Sequence, residues 1–253
     1  MGVLDLFRLG NRVVCVTGAS SGLGAATAVA CAEAGADVVL AARRADRLEE
    51  TAAAVRAAGR RVLSVGTDVS RPDHCQRMVR AAVEQFGTVD VLVNNAGVAS
   101  ARPATRETAE EFRSVLEVNL EGAYWCAQEC ARIMQPGSSI VNVSSILGIT
   151  TAGLPQAAYT ASKAALIGLT RDLAQQWGPR KGIRVNAVAP GFFQTEMTSA
   201  YRDGYLDGLA PRMLLGRLGR AEELAATIVW LASPAGGYVT GQTVTVDGGV
   251  TIT

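Results

Sequence analysis

The chain has 253 residues, 49% of them hydrophobic and 19% charged, with a formal net charge of +1. A balance this close to neutral lacks the basic footprint of a nucleic-acid binder or of a protein held on an acidic membrane surface. No run approaches the ~18 uninterrupted apolar residues of a membrane helix, and the opening MGVLDLFRLGNRVV has no charged-then-apolar signal layout; a cytoplasmic protein is expected.

Five cysteines, at 15, 31, 75, 126 and 130, form no C-x-x-C pair and are accompanied by a single histidine. That set predicts reduced, mostly buried thiols and no metal site. The histidine, His74, lies in SRPDHCQ at a polar helix start. No serine sits in G-x-S-x-G, so a hydrolase triad is not indicated and His74 reads as a solvated helix-start residue.

In chain order, the first element is a strand, RVVCVTG (12–18). Its end runs into TGASSGLG, where Gly18, Gly22 and Gly24 give G-x-x-x-G-x-G, with Ser20, Ser21 and Leu23 between them. Glycines there let backbone N–H groups approach a phosphate, and the following helix presents its positive N-terminus. No Lys-Ser/Thr follows, so this is not a Walker A loop. The second strand is DVVLAA (37–42). Dinucleotide folds place a carboxylate for the ribose 2′-OH near this position. Here small Ala41 and Ala42 stand in its place, followed by Arg43 and Arg44. A carboxylate would repel a 2′-phosphate, whereas a guanidinium binds it. NADP(H) is therefore expected over NAD(H), with Arg43, nearest the strand end, as the contact. The alternative is that both arginines open an exposed helix, as Arg47 does.

Further strands follow: RVLSVGTD (61–68), VDVLVNNAG (89–97), SSIVNVSS (138–145), IRVNAVAPG (183–191) and QTVTVDGG (242–249). The runs are near-continuous in Val and Ile, as strands buried on both faces should be. They alternate with alanine-rich stretches of helical length. That alternation implies right-handed βαβ crossovers. The expected architecture is α/β: a single-domain, doubly wound Rossmann parallel sheet of about seven strands, helices on both faces, spanning 1–253. The Gly- and Pro-containing segment 191–220 is expected to be a substrate loop or lid.

Between the fifth and sixth strands lies AYTASKAAL, a helix that follows Pro155 and ends in WGPRKG. Tyr159 and Lys163 are i and i+4, so they leave the same face one turn apart. An ammonium beside a phenol favours the phenolate and brings the tyrosine pKa toward working pH. Tyr159 is then a general acid for a carbonyl oxygen, or a base for an alcohol.

Eight pieces share one order and spacing: TGASSGLG (17–24), DV (68–69), NNAG (94–97), VNLEG (118–122), NVSS (142–145), YTASK (159–163), PGFFQTEM (190–197) and GQTVTVDGG (241–249). Together they make the whole chain resemble the short-chain dehydrogenase/reductase family, in its 3-oxoacyl-carrier-protein-reductase-like branch. The resemblance implies that Tyr159 is the catalytic acid/base and that Lys163 binds the nicotinamide ribose hydroxyls. It implies that Ser145, or else adjacent Ser144, bonds the substrate oxygen, and that Asn119, in a helix interior, holds a water relayed to the lysine. It places Asp68 and Val69 at the adenine, with Ser70 fitting better than Asp68 as the next helix cap. Asn94, Asn95, Ala96 and Gly97 would line the ribose side. Pro190, Gly191, Phe193 and Thr195 would run along the dinucleotide.

Leu147, Leu154, Phe193, Met197, Tyr201 and Tyr205 are the candidate substrate pocket. A mostly apolar lining suits a small neutral ketone or secondary alcohol. The function implied is an NADPH-dependent ketone reductase, reversible as a secondary-alcohol dehydrogenase. A 3-oxoacyl-carrier-protein reductase, a sugar or polyol dehydrogenase and a non-catalytic nucleotide-sensing relative are the alternatives. Relatives commonly form homotetramers through helices around 108–134 and 157–177 and the last strand, and the same is expected here.

Overall fold

Each Val-rich run becomes a strand in the computed structural model, which describes residues 2–44, 46–194, 204, 205, 208 and 210–253. The strands are β1 (Val13–Thr17), β2 (Asp37–Ala42), β3 (Val62–Gly66), β4 (Val91–Asn94), β5 (Ser139–Val143), β6 (Arg184–Pro190) and β7 (Thr243–Val246). They form one seven-stranded sheet in the order β3-β2-β1-β4-β5-β6-β7, with every pairing parallel. The chain winds outward from β1 to β3, then returns to the other side of β1 at β4. That reversal opens a crevice beyond the carboxyl ends of β1 and β4, where doubly wound sheets bind ligands.

The central strands β1, β2, β4 and β5 are buried throughout. The expectation of strands buried on both faces fails at the edges: Ser64 and Gly66 of β3 and Thr245 of β7 are exposed. Each edge strand has one neighbour, so part of its surface stays in water.

Alternation of side chains across the sheet builds two cores. Val14, Val16 and Leu40 face helices α1 (Gly22–Glu33), α2 (Leu48–Ala57) and a last helix at Ala221–Ala232. Val13, Cys15, Val39 and Leu92 face α3 (Pro72–Phe86) and, past α4 (Ala109–Leu116), helices α5 (Gly122–Ile133) and α6 (Ala157–Lys181). The last helix, Ala221–Ala232, is α7. Helix α6 carries Pro179 within its final turn and stops at Gly182, whose φ of 64° is left-handed. Glycine meets no Cβ penalty there.

All five cysteines are free and buried. Burial pushes Cys15 and Cys31 up to about 12, so these thiols stay protonated. Among the described residues no helix is long and apolar enough to cross a membrane.

Candidate functional site

The β1–α1 turn is shaped by what it excludes. Gly18 N donates to Ala41 O at 2.7 Å, which ties the turn to the end of β2. Gly18 has φ 68°, and a Cβ there would stand 2.8 Å from Ala96 Cα. A Cβ on Gly24 would collide with Gly18 O and Asn95 Nδ2. Asn95 reaches across from β4: its Nδ2 donates to Thr17 O at 3.0 Å and to Gly18 O at 3.2 Å. Thr17 Oγ1 in turn accepts from Asn95 N and Ala96 N, both at 3.1 Å. Ser21, at the N-cap of α1, makes no side-chain capping bond. The first N–H groups of α1 are thus left for an anion.

At the end of β2, Ala42 forms buried floor, and Arg43 and Arg44 project exposed beside it. Past β3, the Asp68 carboxylate accepts from Ser70 N at 3.1 Å and Ser70 Oγ at 2.8 Å. The N-cap of α3 is Arg71, without a side-chain cap, so Ser70 serves Asp68 rather than capping the helix. His74 differs from expectation too. It is more than a solvated helix-start residue: its Nδ1 accepts from Asp68 N at 3.3 Å and fixes that backbone.

Across the crevice, β5 delivers two serines. Ser144 Oγ donates to Lys163 O at 2.8 Å, so its proton is committed to holding α6. Ser145 Oγ accepts from Leu147 N at 3.1 Å and keeps its own proton to give. Gly148, in the following turn, lies directly under α6: a Cβ there would meet Lys163 C at 2.8 Å. On α6, Tyr159 is half-buried and Lys163 only 4% exposed. Lys163 Nζ donates to Val143 O at 2.8 Å and stands 5.6 Å from the centroid of the Tyr159 ring. Burial pushes the Lys163 ammonium down to about 8.

Asn119 departs from the plain helix interior expected. It sits in a π turn, Glu117–Glu121, between α4 and α5, where Gly122 N bonds Glu117 O. Its Oδ1 accepts from Val98 N at 2.8 Å, and its Nδ2 donates to Val98 O at 2.9 Å and Ser162 Oγ at 3.0 Å. The Asn119 amide thus pairs with Val98 through both its oxygen and its nitrogen. A Cβ on Gly97 would stand 3.4 Å from Asn119 Oδ1 and 3.5 Å from Lys163 Nζ. Asn119 therefore backs the cleft wall beside the lysine without lining the cleft.

These parts enclose one cleft of about 350 Å³. Its lining brings together Gly18, Ser20, Ser21, Gly22, Leu23, Gly24, Arg43, Asp68, Val69, Asn95, Ala96 and Gly97 with Ser145, Leu147, Tyr159, Lys163, Pro190, Gly191 and Phe193. Asn94 does not join them. It is buried, and its Nδ2 donates to Ala123 O and Asn142 Oδ1, both at 2.9 Å. Leu154 is half-buried and apart from the lining. Tyr205 packs with Leu147 and Tyr159 in an apolar cluster beside the cleft. Thr195, Met197 and Tyr201 lie outside the described residues, as does much of the 191–220 loop. The lining also includes Thr67, Val98, Val118, Ile146 and Phe192, none of which was expected individually to hold cofactor or substrate. Ile146 and Phe192 adjoin residues already singled out, so strand ends alone could have found them.

The residues present fit a nicotinamide dinucleotide. The glycine turn leaves no Cβ where a diphosphate would pass, α1 offers uncapped N–H groups, and the far end of the cleft meets a buried ammonium and a phenol. The model of a family described as enoyl-(acyl carrier protein) reductase matches residues 18–251. The chain is similar to cis-4-hydroxycyclohexanecarboxylate dehydrogenase of Sinomonas cyclohexanicum, 42% identical over 95% of this chain and 97% of that protein. It is also similar to a 3-oxoacyl-acyl-carrier-protein reductase of Staphylococcus epidermidis, 38% identical over 95% of this chain and 99% of that one. Among solved structures, a short-chain dehydrogenase from Burkholderia cenocepacia in complex with NADP superposes with a TM-score of 0.92, at 36% identity, over 96% of this chain and 99% of that one. The chain belongs to the short-chain dehydrogenase/reductase family. It is an NAD(P)-dependent oxidoreductase acting on CH–OH groups.

Proposed function

We propose that the protein is an NADPH-dependent ketone reductase, reversible as a secondary-alcohol dehydrogenase, working on a small neutral substrate. The carrying observation is the buried Lys163 ammonium 5.6 Å from the Tyr159 ring, at the end of a cleft that also holds Ser145. The hydride chemistry is supplied by the nicotinamide when the dinucleotide is bound. The chain does the rest. Ser145 donates a hydrogen bond to the carbonyl oxygen, and Tyr159 gives that oxygen its proton. Lys163 holds the ribose hydroxyls and, as a cation, stabilises the phenolate left behind. Asn119 fixes Val98 and Ser162 behind the lysine and is the residue that would hold a relay water there.

Arg43 and Arg44, exposed at the end of β2 with no carboxylate between them and Ala42, favour the 2′-phosphate of NADPH. The NADP complex of the Burkholderia neighbour supports the same choice. Ile146, Leu147, Phe192 and Met213 make the wall beside Tyr159 apolar, which suits an uncharged ketone. A second reading, reduction of a 3-oxoacyl chain on a carrier protein, has the Staphylococcus relative in its favour. The protein is read as a cytoplasmic homotetramer. Tyr124 of α5 and Leu169, Leu173 and Trp177 of α6 border an open groove that another copy would cover.

The test is a ketone and alcohol panel run with NADPH and NADH in parallel, on the natural protein and on Tyr159→Phe. The natural protein should prefer NADPH. The variant should lose roughly 10²–10⁴-fold in turnover while NADPH binding, followed by fluorescence, stays unchanged. Unaltered turnover in Tyr159→Phe would remove the acid/base assignment, and preference for NADH would remove the role of Arg43.

A further inference from the structure

His74 takes no part in the chemistry described so far, yet it is tied to the wall of the cleft. The lining passes through Thr67, Asp68 and Val69, and each of these is held from a different side. Thr67 N donates to Ala42 O at 2.9 Å, at the end of β2. Val69 O accepts from the buried Cys75 Sγ at 3.5 Å. The Val69 side chain presses on α5, where a Cβ on Gly122 would stand 2.7 Å from Val69 Cγ2. Between them, Asp68 N donates to His74 Nδ1 at 3.3 Å, and among the described residues it has no other partner. Two successive side chains in the first turn of α3, His74 and Cys75, thus grip the turn that lines the cleft.

A backbone N–H only donates, so Nδ1 accepts and the proton of the neutral ring is on Nε2. The Asp73 carboxylate, its Oδ2 3.9 Å from Nε2, favours that tautomer. A proton added to Nδ1 would turn the acceptor into a donor facing Asp68 N, and the bond would be lost. The charged groups around the ring are themselves engaged. The Asp68 carboxylate accepts from Ser70 N and Ser70 Oγ. Asp73 is shared with Arg71 at 3.4 Å and Arg77 at 2.8 Å. From α5, Glu129 acts on the neighbouring Cys75 and is paired with Arg132. Strand β3, against which α3 packs, carries no ionisable side chain.

We propose that His74 is a positioning residue for the dinucleotide: through Nδ1 it holds the Asp68 backbone, so that the Asp68–Val69 turn is set to receive the adenine, and protonation of Nδ1 releases that hold. This rests on the reading of the cleft as a dinucleotide site with its adenine end at Asp68 and Val69, and adds to it a dependence of cofactor affinity on pH. Val69 N has no partner among the described residues, so a turn that shifts carries a free donor away from its ligand. By linkage, a bound cofactor in turn favours the neutral ring.

The experiment measures NADP⁺ binding by calorimetry, with no ketone present, at about pH 8 and about pH 5.5, on either side of the range in which imidazoles titrate. The proteins are the natural one, His74→Asn, His74→Leu and Asp68→Ala. The amide oxygen of asparagine is bonded to Cγ as Nδ1 is, so it keeps an acceptor that does not titrate. Leucine keeps bulk and no acceptor. The cofactor's 2′-phosphate titrates over the same range, but does so with every protein, so the readout is the difference between proteins. Acidification should weaken binding by the natural protein about fivefold more than binding by His74→Asn. At the higher pH, His74→Leu should bind about fivefold more weakly than the natural protein, and His74→Asn should stay within about twofold of it. Equal pH dependence in the natural protein and His74→Asn overturns the inference. So does a His74→Leu protein that binds as the natural one does at the higher pH. If His74→Asn loses as much affinity as His74→Leu, the ring packs rather than bonds, and the inference falls. Unaltered affinity in Asp68→Ala would remove the adenine from this turn, and the inference would fall with that placement while the ketone-reductase reading stands.

Discussion

Burial brings the Lys163 ammonium down to about 8 from an ordinary 10.5. The unfolded chain keeps this lysine protonated up to its ordinary value, so between about 8 and 10.5 the unfolded state binds more protons. As far as Lys163 is concerned, stability rises with pH through that window and is lost as pH falls back through 8. The functional sign is opposite. Below 8 the cation is present to stabilise a Tyr159 phenolate; above 8 it is not. We therefore expect kcat/KM for ketone reduction to fall above pH 8 or so. In Lys163→Arg, whatever activity remains should show that limb displaced to higher pH, because a guanidinium stays charged. A pH–rate profile of each protein checks this, and an unmoved limb would assign the ionisation elsewhere. The sequence alone could not decide between Ser144 and Ser145, because both follow the same strand. The difference lies in Ser144 Oγ donating to Lys163 O, a contact between residues 19 apart. Likewise, one position separates Asn95, which braces the glycine turn, from Asn94, which is sealed in the core.

At the scale of elements, the β1–α1 turn makes a sharp claim. Gly24→Ala would push a methyl group into Gly18 O and Asn95 Nδ2. Overpacking of this kind typically costs about 1–3 kcal/mol. The variant should therefore unfold at lower denaturant and bind NADPH more weakly, read by a denaturation curve and a fluorescence titration. Lowered stability with unchanged affinity would mean the turn does not hold the phosphates. The strands themselves were legible in sequence, because an unbroken Val/Ile run between glycine-rich turns has few other ways to be buried. Their edges were not: β3 and β7 read like the central strands, and only sheet order exposes Ser64 and Thr245. The π turn at Glu117–Glu121 was hidden too: the bonds its Asn119 makes go to Val98, 21 residues earlier in the chain.

For the whole molecule, the homotetramer proposed above puts a second copy over the groove between α5 and α6. Tyr124, Leu169 and Trp177, each partly exposed, give it apolar area, while Arg132, Asp172 and Lys181 supply charges of both signs around it. Light scattering should find a mass of four chains in solution. Leu169→Glu, which would bury a charge in that groove wherever a second copy covered it, should give a smaller species. An unaltered mass would move the interface to another face.

The sheet also divides the labour of the cleft. Ser144 and Gly148 clamp α6 to the end of β5, so Ser145, Tyr159 and Lys163 ride on one block and shift together. The glycine turn and the two arginines belong to the opposite flank, beyond the β1–β4 seam. Sites that share no partners combine with little mutual interference. A redesign of cofactor choice at Arg43 and Arg44 can therefore be worked out separately, without retuning the proton-transfer block on the far side of the seam.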